Sequence, residues 1–140
     1  MNYDLKMNEP TVVKEIRLDN GLLLIVTDCS KKVGRDAWLV SMKAKIDIPV
    51  NESALSGLSD FESLGIDPRE AVSKLGEQVS YEYKAERNFI MEPEKEALFQ
   101  SLVEDFMSTS LVYLSNPLFA SKFIVKKYGD LTDKKRLKRF

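Results

Sequence analysis

The sequence predicts an α+β fold: an antiparallel, barrel-like sheet of four or more strands, a short middle helix and two C-terminal helices. Three observations predict this class. Strand-like alternation dominates the first half of the chain, helical spacing dominates the last third, and no strand–helix–strand repeat separates the two. Strands grouped before helices favour an antiparallel sheet over a doubly wound parallel sheet.

The first predicted element is a β-hairpin over residues 12–26, in which two apolar stretches flank Asn20-Gly21. Asn-Gly is a strong signal for a two-residue turn because both of its central residues need a positive φ. A loop of these two residues fixes the pairing of the strands. It would place four apolar side chains on one core face, namely Ile16, Leu18, Leu23 and Ile25.

The third predicted strand has the most regular pattern in the chain. Between Trp38 and Ile48, apolar residues alternate with mostly polar ones, so one face is buried and the other is in contact with water. Pro49 ends the strand because proline cannot donate a hydrogen bond to a neighbouring strand. Residues 28–36, between the second and third predicted strands, form a polar loop.

The middle of the chain is predicted from start and stop signals. The apolar residues within 51–66 follow neither the alternation of a strand nor the spacing of a helix. We interpret this segment as an ordered connection over the sheet, with a disordered acidic loop as the alternative. Pro68 begins a short helix that Gly76 ends. A fourth strand follows over about residues 79–90.

Two helices are predicted at the C-terminal end. Pro93 begins the longer one, which runs to about Leu114 with its apolar residues in one stripe. Asn116-Pro117 begins the second, and Gly129 ends it in the left-handed conformation. Residues 130–140 then form a basic tail.

Composition and length predict one globular domain over residues 1–140 and exclude several kinds of chemistry. The chain has no His, which excludes Ser–His and Cys–His pairs and imidazole metal sites. It has one Cys, which excludes thiolate zinc clusters and internal disulfides. No glycine-rich phosphate loop follows a strand. We therefore predict that the protein is not an enzyme, with a His-free enzyme as the alternative, and we predict no catalytic residue, no metal ligand and no cofactor.

The predicted location is the cytoplasm. The first residues have neither a basic nor an apolar region typical of a signal peptide, and no apolar run approaches the ~20 residues that span a bilayer. A single thiol without an export signal is typical of a reducing compartment.

The charges are unevenly distributed along the chain. The net charge is +1 over residues 1–50, −8 over 51–121 and +6 over 122–140. The acidic and basic segments can attract each other within one chain or between two. A pI near 5.6 makes nucleic acid a disfavoured partner.

The loop at residues 28–36 is the predicted functional surface. Cationic side chains together with backbone N–H groups can hold an anion, and the alternative is a solvated connection between two strands. The predicted ligand is a small phosphorylated molecule. The predicted ligand-binding residues are Ser30, Lys31, Lys32, Gly34 and Arg35.

Part of this loop resembles a motif of a known family. Asp28-x-Ser30 followed by Gly34 is similar to the Asp/Asn-x-Ser-x-x-Gly element of PilZ domains, which are β-barrels that bind cyclic di-GMP. This chain has one more residue before the glycine, and it lacks the Arg-x-x-x-Arg pair that PilZ domains carry ahead of the first strand. The resemblance is local and implies a nucleotide ligand at this loop.

The leading functional hypothesis is a cytoplasmic binding or regulatory module that acts through the 28–36 loop. The alternative is a structural or protein-interaction domain that forms homo-oligomers, such as a homodimer, through its C-terminal helices. Self-association or another protein partner is expected in both cases. The apolar residues that would form the helical interface include Leu118, Phe119, Phe123 and Ile124.

Overall fold

A curled antiparallel sheet carries helices on one of its faces, which confirms the predicted α+β class. The computed structural model describes residues 9–51 and 68–137. The predicted connection at 51–66 lies almost wholly outside the described residues. The described elements are, in chain order, β1 (Thr11–Arg17), β2 (Leu23–Asp28), β3 (Lys31–Lys32), β4 (Ala37–Pro49), α1 (Pro68–Leu75), β5 (Gln78–Met91), α2 (Glu92–Leu114) and α3 (Phe119–Leu137).

The long strand β4 is the centre of the sheet. On one side it pairs with β2 near its end and with the short β3 near its start, and β1 pairs with the far side of β2. On its other side it pairs with β5 along its whole length. All of these pairs are antiparallel. Within the described part of the chain, β1 pairs only with β2, and β3 and β5 pair only with β4, so each of these three strands has an unpaired edge.

The helices pack on the face of the sheet that carries the even-numbered residues of β4. From β5, Tyr81 lies edge-on to Phe119 with ring centroids 5.8 Å apart, and Tyr83 stacks on Phe106 at 4.7 Å. Such aromatic pairs stabilise beyond the area they bury. We call this side the covered face, and its fully buried β4 residues are Val40, Met42, Ala44, Ile46 and Ile48.

The start of α2 is fixed to the hairpin of β3 and β4. Trp38 is buried, and its indole N–H donates to the Glu92 carboxylate. The Lys95 ammonium lies 3.7 Å from the centroid of the Trp38 ring, within cation–π range. The Glu92 N–H donates to the Asp36 carbonyl at 3.0 Å. These contacts hold the helix against one end of the sheet.

The predicted register of the first hairpin is wrong by one residue. The loop has three residues, because the Leu18 N–H donates to the Leu22 carbonyl at 2.8 Å and Gly21 alone has a positive φ, of 89°. Ile16 therefore faces Leu24. A shift of one residue exchanges the faces of a strand. The core residues of β2 are consequently Leu24 and Val26, while Leu23 and Ile25 lie half-buried on the other face.

A tertiary contact accounts for the three-residue loop in place of the two-residue loop. The Asn20 side-chain N–H₂ donates to the Leu114 carbonyl at 2.7 Å and to the Asn116 carbonyl at 3.0 Å. Carbonyls at the end of a helix lack partners inside the helix. The turn between β1 and β2 thus caps α2, and this contact fixes the turn against the junction of the two helices.

The later elements agree with prediction except at Gly129. The short helix, the fourth strand and the long helix appear as α1, β5 and α2. Helix α3 continues through Gly129 to Leu137, although this glycine was expected to end it. An internal glycine costs only about 1 kcal/mol relative to alanine, and the lysines and leucines that follow are good helix formers. Part of the predicted basic tail is therefore helical.

Candidate functional site

The predicted binding loop at 28–36 contains the short strand β3. Lys31 pairs with Leu39, and Lys32 pairs with Trp38. Successive residues of a strand point to opposite faces. Lys31 therefore lies on the face away from the helices, which we call the open face, whereas Lys32 lies on the covered face with Trp38.

Ser30 joins β2 to β3 inside the sheet. The Ser30 N–H donates to the Asp28 carboxylate at 2.9 Å, and the Ser30 hydroxyl accepts from the Ser41 N–H at 3.0 Å. The Cys29 N–H donates to the Ser41 carbonyl at 2.9 Å. Ser30 is also buried. Its hydroxyl therefore occupies a structural position, where it satisfies a backbone donor of β4.

Gly34 and Arg35 lie in the turn between β3 and β4. The Gly34 N–H donates to the Ala37 carbonyl at 3.2 Å, which closes the turn. Arg35 is exposed. The five predicted binding residues thus have separate surroundings: one is buried, two lie on opposite faces of β3, and two lie in the turn.

A groove of about 640 Å³ lies on the open face. It is lined by residues of β3, β4 and β5, together with Pro10 and Cys29. This volume is within the range of small-molecule sites. Of the predicted binding residues only Lys31 lines the groove. Its charged lining residues are Lys31, Lys43, Glu82, Lys84 and Glu86.

The register of β4 and β5 places two lysines directly opposite each other in this groove. Lys43 pairs with Lys84. The Lys43 ammonium is 3.4 Å from the Glu82 carboxylate, and the Lys84 ammonium is 3.5 Å from Glu86. Lys31 has no ion-pair partner among the described residues. The lining therefore carries one more positive than negative charge.

Ser41 is one of the residues that line the groove, and its hydroxyl is unsatisfied. The residue is 1% exposed, and its side-chain oxygen makes no hydrogen bond to any residue that the structure describes. A buried hydroxyl without a partner costs roughly 1–3 kcal/mol. Such a group in a native protein needs an explanation, and a bound molecule is one.

The sequence could not reveal Ser41, Lys43 and Lys84 as one set. Each occupies a polar position of an alternating strand, where a solvated side chain is the ordinary interpretation. Their proximity depends on the register of two strands that lie about 40 residues apart in the chain. No local pattern encodes that register.

The fold and the groove define a small α+β protein with one covered and one open sheet face. Among the side chains that the structure describes, those of residues 9–51 and 69–131, no three acidic or Cys groups lie together to hold a metal ion. In the same ranges, no helix has the length and apolar character needed to cross a bilayer. Comparison with protein-family models, with curated proteins and with solved structures finds no match to this chain.

Proposed function

We propose that the protein is a non-enzymatic binding module that holds a small anionic ligand, of the phosphorylated class, in the open-face groove. The observation that carries this proposal is the direct opposition of Lys43 and Lys84 on neighbouring strands. Lys31, which has no ion-pair partner among the described residues, lines the same groove.

Two like charges opposite each other destabilise a sheet. Glu82 and Glu86 offset this repulsion only in part, because both ion pairs are well exposed to water. A bound anion would remove the repulsion and would use the excess positive charge. A local conflict of this kind is typical of a functional site.

The Ser41 hydroxyl adds directional hydrogen bonding to the charge. Its oxygen has almost no accessible surface, so a change of side-chain rotamer would have to bring it into the groove before it could donate to a phosphate oxygen. Hydrogen bonds between a donor and an ionised acceptor are stronger than those between neutral groups. The predicted loop contributes Lys31 to this site, and the other ligand-binding groups come from β4 and β5.

The first test is native mass spectrometry of the untagged protein, which detects a retained phosphorylated ligand as excess mass. Calorimetric titration with pyrophosphate then compares wild type with Lys31→Ala and with Lys43→Ala/Lys84→Ala. We expect the double variant to lose binding and the single variant to weaken it by about tenfold, which corresponds to the loss of one charge-assisted hydrogen bond.

The matched control is Lys32→Ala, which removes the neighbouring lysine from the covered face. It should leave pyrophosphate binding unchanged. If Lys32→Ala and Arg35→Ala weaken binding as much as Lys31→Ala does, the ligand lies at the hairpin turn and the groove is not the site. Wild-type protein that retains no ligand and binds no pyrophosphate would contradict the proposal altogether.

A further inference from the structure

The outer edge of β5 is long and unpaired within the described residues. The strand has 14 residues and pairs only with β4. No backbone hydrogen bond joins its other edge to a described residue. A row of free N–H and C=O groups is a template for another strand.

The regular part of this edge ends at a β-bulge. The register of β4 and β5 shifts between Trp38 and Val40, where Phe89 on β5 has a positive φ of 55°. Residues 78–87 precede the bulge and pair regularly with β4, and Tyr83 is the central residue of 79–87. A bulge limits how far a further strand can pair.

We propose that a second copy of this chain pairs antiparallel with the outer edge of β5, about a two-fold axis at Tyr83. In this register Glu82 lies opposite Lys84 of the second copy, and Lys84 lies opposite its Glu82. A two-fold interface repeats every contact, so two opposite-charge pairs form. The two sheets then become one continuous sheet.

The other symmetric registers are less favourable. An axis at Lys84 would place that lysine opposite itself and Glu82 opposite Glu86, and an axis at Glu82 would place that carboxylate opposite itself. Like charges directly opposite are destabilising. An axis at Ala85 pairs Lys84 with Glu86 but brings the bulge into the new ladder. The axis at Tyr83 avoids like charges and uses nine of the ten regularly paired residues, 79–87.

The side chains involved are accessible to a second copy. Tyr83 is 40% exposed, and the side chains of Glu82 and Lys84 are 51% and 58% exposed. The interface differs from the helical one predicted from sequence. Three of the four apolar residues named for that interface are buried within the chain, namely Phe119, Phe123 and Ile124.

Sedimentation velocity over a concentration series tests the proposal on the ligand-free protein. Because Glu82 and Lys84 also line the groove, pyrophosphate binding by each variant is measured separately. We expect wild type to form a dimer. Glu82→Lys and Lys84→Glu should each raise the dissociation constant about tenfold or more, because both symmetric pairs become repulsive. The double variant Glu82→Lys/Lys84→Glu should restore the dimer.

Mixing the two single variants gives the sharpest result. Each chain alone repels its own copy, but a Glu82→Lys chain offers two cationic side chains to two carboxylates of a Lys84→Glu chain. The mixture should therefore sediment as a dimer at concentrations where neither variant does. The control is Glu104→Lys, the same change of charge at an exposed position of α2, and it should sediment like wild type.

Two outcomes would overturn the proposal. One is a wild-type protein that remains monomeric at several hundred micromolar. The other is a dimer whose dissociation constant is the same in wild type and in both single variants, because such a dimer would use another surface. Circular dichroism of each variant shows whether the chain is folded before its association is compared.

Discussion

The covered face and the open face belong to the same sheet but differ in chemistry. On the covered face β4 presents residues such as Met42 and Ala44, which have no exposed surface. On the open face the same strand presents Lys43 and Lys45, in exposed ion pairs. One strand therefore supplies both the main apolar core and the charged groove. The comparison teaches that residue parity along β4 separates the apolar core from the charged surface of the sheet.

Ser41 is the exception to this separation. Its position belongs to the open face, yet it is as buried as the core residues. It is also the described residue whose buried hydroxyl has no partner. The exception therefore lies in the groove, where a ligand can change its surroundings.

The strongest test of this separation compares two adjacent residues of β4. Met42→Ala removes a fully buried side chain from the covered face and should destabilise the protein by about 2–5 kcal/mol. Lys43→Ala changes the open face and should alter the free energy of unfolding by no more than about 0.5 kcal/mol. Urea unfolding followed by circular dichroism measures both. Similar costs for the two variants would show that the open face is also part of the stabilising core.

A smaller loss of stability is expected from breaking the contact between the first turn and the end of α2. Asn20→Ala removes the donor to the Leu114 and Asn116 carbonyls and should cost about 1–3 kcal/mol. Asn20→Asp keeps the oxygen that accepts from the Leu22 N–H but replaces the donor by a carboxylate. It should be at least as destabilising as Asn20→Ala in thermal unfolding. A stable Asn20→Asp variant would mean that the cap contributes little.

The smallest effect is a pH dependence at the covered face. Burial raises the pKa of Tyr81 above its ordinary value of 10.0, and the neighbouring Tyr113 and Tyr83 raise it further. The folded state therefore holds this proton more tightly than the unfolded state. The stabilisation that the raised pKa of Tyr81 provides is fully present below pH 10. It is lost as the pH rises through the pKa of Tyr81 in the folded state.

Tyr81→Phe isolates that contribution. Above pH 10, the melting temperature of the variant should fall less steeply with pH than that of wild type. Near neutral pH, the melting temperatures of the two proteins should depend on pH in the same way. Tyr113→Phe removes a neighbour that raises the pKa of Tyr81, so it should flatten the alkaline fall by less than Tyr81→Phe does. Identical alkaline profiles for wild type and Tyr81→Phe would show that burial of the Tyr81 phenol does not influence stability.

The sequence predicted the elements of the fold because their signals are local. Alternation along β4 and the Pro68 and Gly76 signals around α1 depend on residues close in the chain. The hairpin register was wrong because the contact from Asn20 to Leu114 spans most of the chain. The groove was missed for the same reason, since the opposition of Lys43 and Lys84 depends on the pairing of two distant strands.

The bond between Asn20 and the end of α2 also bears on how the chain is made. These groups are 94 residues apart, so the ribosome releases the first hairpin long before it synthesises the carbonyl that the asparagine caps. Contacts between distant residues form late and slow folding. The turn between β1 and β2 therefore gains these contacts only after residues 114–116 have left the exit tunnel.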